Sequence, residues 1–205
     1  MKKLLMLSIV VLAFSVCMFA QNGDFYYVNY FSNAHNYGGY DATVRIINPG
    51  MQGSPLSSGE GTICANIYVF DTAQELLECC SCPVSGTGMR TLSINNDLTD
   101  NPLTAVTLSN GLIKIVASKG SSTCEGSELA PDPVPNLRAW ATHLQNVYSQ
   151  DLTWRSSGMV VTEDGFQAAT LSDPEKQFLG VACSFVQYLG STAGVCTCGS
   201  GGEKG

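Results

Sequence analysis

The chain has 205 residues, of which 13% are charged, and it carries 17 acidic residues against 10 Lys and Arg. This balance excludes a nucleic-acid binder that works through a basic face, because counterion release requires clustered Lys and Arg. Nine cysteines in a chain of such low charge are also untypical of a cytosolic enzyme. Composition therefore indicates an oxidising compartment and leaves the activity open.

Residues 1–20 have the layout of a secretory signal peptide. Lys2 and Lys3 form a basic start, and an almost unbroken apolar run follows from Leu4 to Val16. That run is shorter than the roughly 20 residues of a membrane-spanning helix. We therefore expect cleavage after Ala20 and a protein secreted to the periplasm, cell surface or exterior, without a membrane span.

Removal of this leader changes both the charge and the cysteine count. Lys2, Lys3 and Cys17 leave, so 8 basic and 17 acidic residues remain, for a net charge of −9, with eight cysteines. A lipoprotein leader ending at Cys17 is the weaker alternative, because Val16 is large for the position before such a cysteine. An even cysteine count in an oxidising compartment predicts four disulfides, although sequence alone cannot choose the pairing. The predicted disulfide cysteines are Cys64, Cys79, Cys80, Cys82, Cys124, Cys183, Cys196 and Cys198.

The mature chain is predicted to be mainly β. Short runs of β-branched and aromatic residues, separated by Gly, Pro, Asn and Ser, are typical of a β-sandwich. Asp-Gly at Asp164-Gly165 favours a hairpin that pairs the last two strands. The predicted strands cover 24–31, 42–48, 62–70, 89–95, 112–118, 137–142, 159–162 and 166–170.

Two segments break the β pattern and predict helices. Asp71–Glu78 is predicted to form a short mid-chain helix. Ser172–Leu189 is the stronger helix, because Ser172 and Glu175 form a capping box and apolar residues recur at helical spacing. The apolar face is predicted to contain Phe178, Leu179, Ala182, Cys183, Phe185, Val186 and Leu189.

The predicted fold class is thus a disulfide-stapled β-sandwich with a short mid-chain helix and one C-terminal α-helix. An aromatic strand and loop over 21–41 precede a single domain over 42–198, and a flexible tail covers 199–205. We expect Cys183, in the C-terminal helix, to pair with Cys196 or Cys198 in the following segment.

The cluster Cys79-Cys80-Ser81-Cys82 is the most distinctive motif. Cys79 and Cys82 have the spacing of zinc ribbons and of thiol redox sites. Structural zinc would need a second such pair, and a redox motif usually begins a helix, so disulfide bonding is the favoured interpretation. Adjacent Cys79 and Cys80 point in different directions and are expected to bond to different partners.

Other candidate site residues carry weaker signals. His35 and His143 belong to no metal-binding or nucleophile motif and are interpreted as surface or packing residues. Asp97 and Asp100 could offer loop oxygens to calcium, but their spacing misses the EF-hand pattern and favours a solvated turn. We therefore predict no catalytic residue, no metal site, no cofactor and no enzymatic activity.

The mature N-terminus is rich in aromatic residues. It can be the first strand of the protein's own sandwich, or an extended strand that completes a neighbour's sheet. Exposed aromatic side chains also suit contacts between proteins. The candidate assembly residues are Phe25, Tyr26, Tyr27, Tyr30 and Phe31.

Two segments resemble a group of exported, cysteine-rich acidobacterial proteins of unknown activity. They are 67–83, with the run Glu78-Cys79-Cys80-Ser81-Cys82-Pro83, and 170–198, with Cys183 and Cys196-Thr197-Cys198. The resemblance covers most of the chain from about Thr43 onward. It implies export and a shared disulfide framework, and it carries no catalytic residue.

These features favour a secreted structural or interaction protein. Its most concrete form is a subunit of an extracellular filament or surface assembly that uses the N-terminal strand for subunit contacts. The alternative is a monomeric extracellular module that binds carbohydrate or calcium. A secreted hydrolase is less well supported, because no nucleophile–base pair is recognisable in the sequence.

Overall fold

The structure is a computed structural model. It describes residues 25–32, 41–50, 61–100, 108–120, 124, 126–129, 131–134, 137–148, 157–189 and 195–199. The predicted leader at 1–20, His35 and the end of the predicted flexible tail, 200–205, lie outside the described residues.

Two antiparallel sheets form the described part of the chain, as the sequence predicts. The first sheet has the strand order β4-β3-β6-β1-β9, and the second has the order β5-β2-β7-β8. The strands are β1 (Phe25–Ser32), β2 (Thr43–Ile47), β3 (Ile63–Phe70), β4 (Leu76–Val84), β5 (Met89–Ser93), β6 (Asn110–Lys119), β7 (Arg138–Tyr148), β8 (Ser157–Gly165) and β9 (Gln167–Thr170).

The main core lies between the two sheets. Strands of the second sheet alternate buried and partly exposed residues, as in β2, where Val44 and Ile46 are buried. This period of two is the expected pattern for a sheet with one face against a core. Strand β3, which lies between β4 and β6, is buried along its whole length, because its second face is covered as well.

An α-helix packs on that second face. Helix α1 (Asp173–Leu189) begins as predicted, with the backbone N–H of Glu175 donating to Ser172 Oγ at 3.3 Å. Its residues Leu179 and Cys183 are buried beside Tyr68 and Val116 of the first sheet. The predicted apolar face is divided, however, because Phe178, Phe185 and Leu189 are exposed.

The predicted mid-chain helix over 71–78 is wrong. Asp71 Oδ1 accepts hydrogen bonds from the backbone N–H groups of Ala73 and Glu75, each at 2.8 Å, and Gln74 has a φ of 71°. The side chain of Asp71 therefore closes a tight turn instead of capping a helix. The chain reverses direction there, and β4 pairs with β3.

The predicted hairpin at Asp164-Gly165 is also wrong. These residues belong to β8, which pairs with β7, and the backbone N–H of Phe166 donates to the carbonyl of Ala139 at 2.8 Å. Beyond Phe166 the chain enters the other sheet as β9 and pairs with β1. The strand bends from one sheet to the other around a buried aromatic side chain, which closes this side of the sandwich.

Gly180 provides a test of how α1 docks on the rest of the fold. A Cβ atom at this position would lie 2.3 Å from the carbonyl oxygen of Leu129, which is backbone and cannot rotate away. We expect Gly180→Ala to lower the free energy of unfolding by about 1–3 kcal/mol through overpacking. The gain in helix propensity, about 1 kcal/mol, opposes this loss without reversing it. Urea denaturation gives the measurement.

Ser184→Ala is the matched control, because Ser184 is exposed on the same helix. Its free energy of unfolding should stay within about 0.5 kcal/mol of the wild type. A Gly180→Ala variant as stable as the wild type would show that α1 does not approach Leu129 this closely.

Candidate functional site

Four disulfides join all eight cysteines that the sequence analysis selected. Cys64 bonds to Cys124, close to one end of the first sheet. The other three bonds all begin on β4 and end in the last part of the chain. They are Cys79–Cys183, Cys80–Cys196 and Cys82–Cys198, with Cα separations of 5.7, 5.2 and 5.3 Å.

The alternation of side chains along β4 determines where these three bonds go. Cys79 belongs to the cluster beneath α1, whereas Cys80 and Cys82 belong to the core between the sheets. The expectation that Cys79 and Cys80 have different partners is therefore confirmed. Successive side chains of a strand point to opposite faces. One short run of β4 is therefore bonded to the helix on one face and to Cys196 and Cys198 on the other.

The predicted pairing of Cys183 with Cys196 or Cys198 is wrong. The side chain of Cys183 is buried between α1 and β4, where Cys79 is its neighbour. Cys196 lies instead in the core between the sheets, on the other face of β4. Proximity along the chain suggested the wrong pair, because the first sheet separates the helix from the segment that follows it.

Residues 195–199, here called the C-terminal segment, close the second open side of the sandwich. They are held by the paired disulfides Cys80–Cys196 and Cys82–Cys198 to β4, an edge strand of the first sheet. Arg90 of β5, an edge strand of the second sheet, donates from Nη1 to the carbonyl of Cys198 at 2.6 Å. The segment thus spans the gap between two strand edges.

Asp97 holds the same segment from a π-helical turn at Ile94–Leu98. Thr197 donates to it twice, from its backbone N–H to the Asp97 carbonyl at 2.9 Å and from Oγ1 to Oδ1 at 2.8 Å. Oδ2 of Asp97 accepts from the backbone N–H of Ser93 at 2.6 Å. Both carboxylate oxygens of Asp97 therefore bind protein donors, which gives this candidate calcium residue a structural role.

The cysteine cluster does not form the zinc or redox site that the C-x-x-C spacing allows. Cys79 and Cys82 lie on opposite faces of β4 and cannot chelate one ion. The Sγ atoms of Cys80, Cys82 and Cys198 do lie within 4.8 Å of one another. All three are in disulfides, however, and the thiolate that binds a metal is then absent.

Most of the aromatic side chains of β1 are buried or partly buried in the protein's own fold. Tyr27 and Phe31 are buried between the sheets, and Tyr26 packs beneath α1. Phe25 is partly buried, and Tyr30 is exposed at 41%. The strand pairs with β6 on one side and with β9 on the other, so it completes the protein's own first sheet.

His143 is a buried packing residue that stacks on Tyr30. The two ring centroids lie 3.9 Å apart with an interplanar angle of 10°. Neither ring nitrogen of His143 has a hydrogen-bond partner among the described residues. Burial lowers the pKa of His143, and the nearby carboxylate of Asp164 opposes this shift only in part. The ring is therefore neutral at neutral pH.

A buried polar cluster that the sequence analysis missed links α1 to β3. Tyr68 Oη donates to the carbonyl of Glu128 at 2.7 Å, and Gln187 of α1 donates to Glu128 Oε1 at 2.8 Å. Burial, with the Glu128 carboxylate second, raises the pKa of Tyr68. The phenol is thus a fixed hydrogen-bond donor. A glutamate in a proline-rich stretch gave no sequence signal for this role.

Comparison of the chain with protein-family models, curated proteins and solved structures gave no match. The resemblance to exported cysteine-rich proteins therefore stays a prediction. Among the helices of the described residues, none combines the length and the apolarity that crossing a membrane requires.

The paired disulfides predict a non-additive loss of stability. With Cys79–Cys183 intact, the first of them closes a loop of about a dozen residues and the second a loop of only a few. We expect Cys80→Ala with Cys196→Ala, or Cys82→Ala with Cys198→Ala, to cost about 2 kcal/mol each. The quadruple variant should cost about 5 kcal/mol, more than the sum.

Guanidinium denaturation of the three variants and the wild type measures these differences. Peptide mapping of the unreduced wild type, as the control, should show the four assigned bonds and no free thiol. Strictly additive losses, or a bond between Cys183 and Cys196, would contradict the assignment.

Acidification should destabilise the protein through His143. Its folded-state pKa is lowered, so between neutral pH and that pKa the unfolded state binds the extra proton. The stability that the neutral ring contributes is present above the unfolded-state pKa of about 6.5 and declines as pH falls below it. We expect His143→Phe, which keeps an aromatic ring against Tyr30, to weaken this pH dependence. Urea midpoints at pH 7, 6 and 5 test it, and equal slopes for both proteins would refute it.

Proposed function

We propose that this protein is a secreted structural or interaction protein, and that it is a subunit of an extracellular filament or surface assembly. In this proposal the N-terminal strand β1 provides the subunit contact by pairing with the sheet of a neighbouring copy. The disulfides, the predicted leader and the low content of charged residues support an oxidising compartment outside the cytoplasm.

One observation carries the proposal: no disulfide of the described chain includes β1 or β2. The four bonds connect residues between Cys64 and Cys198, so the crosslinked part begins after the first two strands. Strand β1 can therefore leave its own sheet without breaking a covalent bond.

The pairing of β1 supports exchange between copies. It pairs with β6 from Tyr27 to Ser32, and with the four-residue edge strand β9 over Phe25–Val28. A neighbour's β1 in the same place would make the same hydrogen bonds and bury the same rings, Tyr27 and Phe31. Exchange of identical elements thus restores every contact that it removes. Repeated from copy to copy, such strand addition builds an open chain.

A disulfide between β1 and β6 provides the test, because it prevents β1 from leaving. Tyr30 and Leu112 face each other across these strands, at a Cα separation that suits a disulfide. We expect the mature chain to form filaments that electron microscopy detects. The Tyr30→Cys/Leu112→Cys variant should form none once the new bond has been verified by peptide mapping.

The matched control is Tyr30→Ser/Leu112→Ser, which removes the same side chains without a crosslink and should still assemble. A mature chain that forms no filaments at any concentration would overturn the proposal, as would a crosslinked variant that assembles as well as the control. Saturable binding of a glycan or of calcium by such a non-assembling chain would favour the alternative binding module.

A further inference from the structure

Helix α1 has a second apolar face, opposite the one that it buries. Leu179 and Cys183 pack against the first sheet, while five large apolar side chains are exposed. The ring of one of them, Phe178, also lies 6.3 Å from the ring of Phe70 and so forms the border between the two faces. We call these five residues the outer stripe. Its members and their exposed fractions are Phe178 (48%), Val181 (64%), Phe185 (61%), Tyr188 (83%) and Leu189 (60%).

The spacing of the outer stripe fits packing against another helix. Phe178, Val181, Phe185 and Tyr188 follow one another at intervals of three, four and three residues. This is the a/d pattern of a coiled-coil seam, in which a narrow apolar row inserts between the side chains of a facing helix. Ala182 and Ser184 flank the row and are small, so a second helix can approach closely.

The outer stripe is also large enough for an interface. Three aromatic and two aliphatic side chains, each about half exposed or more, present on the order of 500–600 Å² of apolar surface. Apolar patches of this size on a monomer commonly mark interaction sites. Two such stripes in contact would bury about 1,000 Å², which separates specific interfaces from incidental contacts.

The charge distribution favours a second copy of this chain as the occupant. From Gln177 to Leu189 the helix has no charged residue, although the chain as a whole has a net charge of −7. Two copies therefore meet there without the repulsion between their acidic surfaces. Glu175, in the first turn of α1, forms an ion pair with Lys114 of β6, with Nζ and Oε1 2.5 Å apart. Its negative charge is therefore offset within the same copy.

The same distribution disfavours a membrane as the occupant. Helices that lie on anionic lipid have several Lys or Arg residues on their polar face. Helix α1 has one basic residue, Lys176, and two acidic residues, Asp173 and Glu175, in its first turn. The remaining surface of the chain is acidic and would be repelled by anionic headgroups.

We infer that the outer stripe is a homodimer interface, in which the α1 helices of two copies pack against each other about a two-fold axis. The same row of side chains on both copies is self-complementary in such an arrangement. The α1 pairing does not require exchange of β1, and it would connect neighbouring filaments laterally if exchange also occurs.

Sedimentation equilibrium of the mature, disulfide-bonded chain tests this inference through two matched valines. Val181 lies in the outer stripe and is 64% exposed, whereas Val161 lies on β8 and is 59% exposed. We expect the wild type and Val161→Glu to dimerise alike. Val181→Glu should shift the dimer–monomer midpoint to a concentration at least about tenfold higher. Phe185→Glu should act in the same direction, and thermal unfolding verifies that each variant is folded.

The crosslinked Tyr30→Cys/Leu112→Cys variant separates this inference from the proposed function. It should still dimerise, because its α1 is unchanged, even though it forms no filaments. A wild type that remains monomeric would overturn the inference, and so would a dimer that Val181→Glu leaves intact. Binding of the wild type to phosphatidylglycerol vesicles, abolished by Val181→Glu, would overturn it in favour of a lipid surface.

Discussion

A β-sandwich made of two separate sheets has two open sides, and each must be closed to exclude water from the core. In this protein the backbone closes one side where β8 bends at Phe166 and continues as β9 in the other sheet. Covalent bonds close the opposite side, where the paired disulfides hold the C-terminal segment between the edges of β4 and β5. The core, the position of α1 and the surfaces left for partners all depend on this closure.

Strand β4 is the element on which this closure depends. Its side chains alternate between two faces, which places Cys79 beneath the helix and Cys80 and Cys82 between the sheets. One strand is therefore bonded both to α1 and to the C-terminal segment. The polar contacts repeat this arrangement. Lys114 and Glu128 bind α1 over the first sheet, whereas Arg90 and Asp97 bind the C-terminal segment over the gap.

The sequence predicted the fold class and most strands, because alternating apolar residues and turn residues are local signals. It predicted the start of α1 equally well, since Ser172 and Glu175 are adjacent in space as soon as one turn forms. The errors arose where the secondary structure of a segment is determined by a contact with a strand that is distant in the sequence. Residues 71–78 look helical until β3 is available for pairing, and Asp164-Gly165 looks like a turn until β7 holds it extended.

The candidate site could be predicted only in part for the same reason. The eight cysteines were identified by type and compartment, but their pairing depends on which face of β4 each one occupies. Three members of the outer stripe, Phe178, Phe185 and Leu189, belong to the apolar face that the sequence predicts, because they recur with Leu179 and Cys183 at helical spacing. Only the docked helix shows that Leu179 and Cys183 are buried while the outer stripe stays exposed.

The disulfide connectivity also sets an order of events during synthesis. Each cysteine of β4 bonds to a partner that is 104 or 116 residues further along the chain. A chain that emerges from its N-terminus therefore exposes three thiols of β4 long before their partners exist. The bonds can form only after Cys183, Cys196 and Cys198 have emerged, and the thiols must avoid one another until then. The sulfurs of Cys80 and Cys82 lie 3.9 Å apart even in the folded protein, so correct pairing requires that these two thiols do not bond to each other before Cys196 and Cys198 arrive.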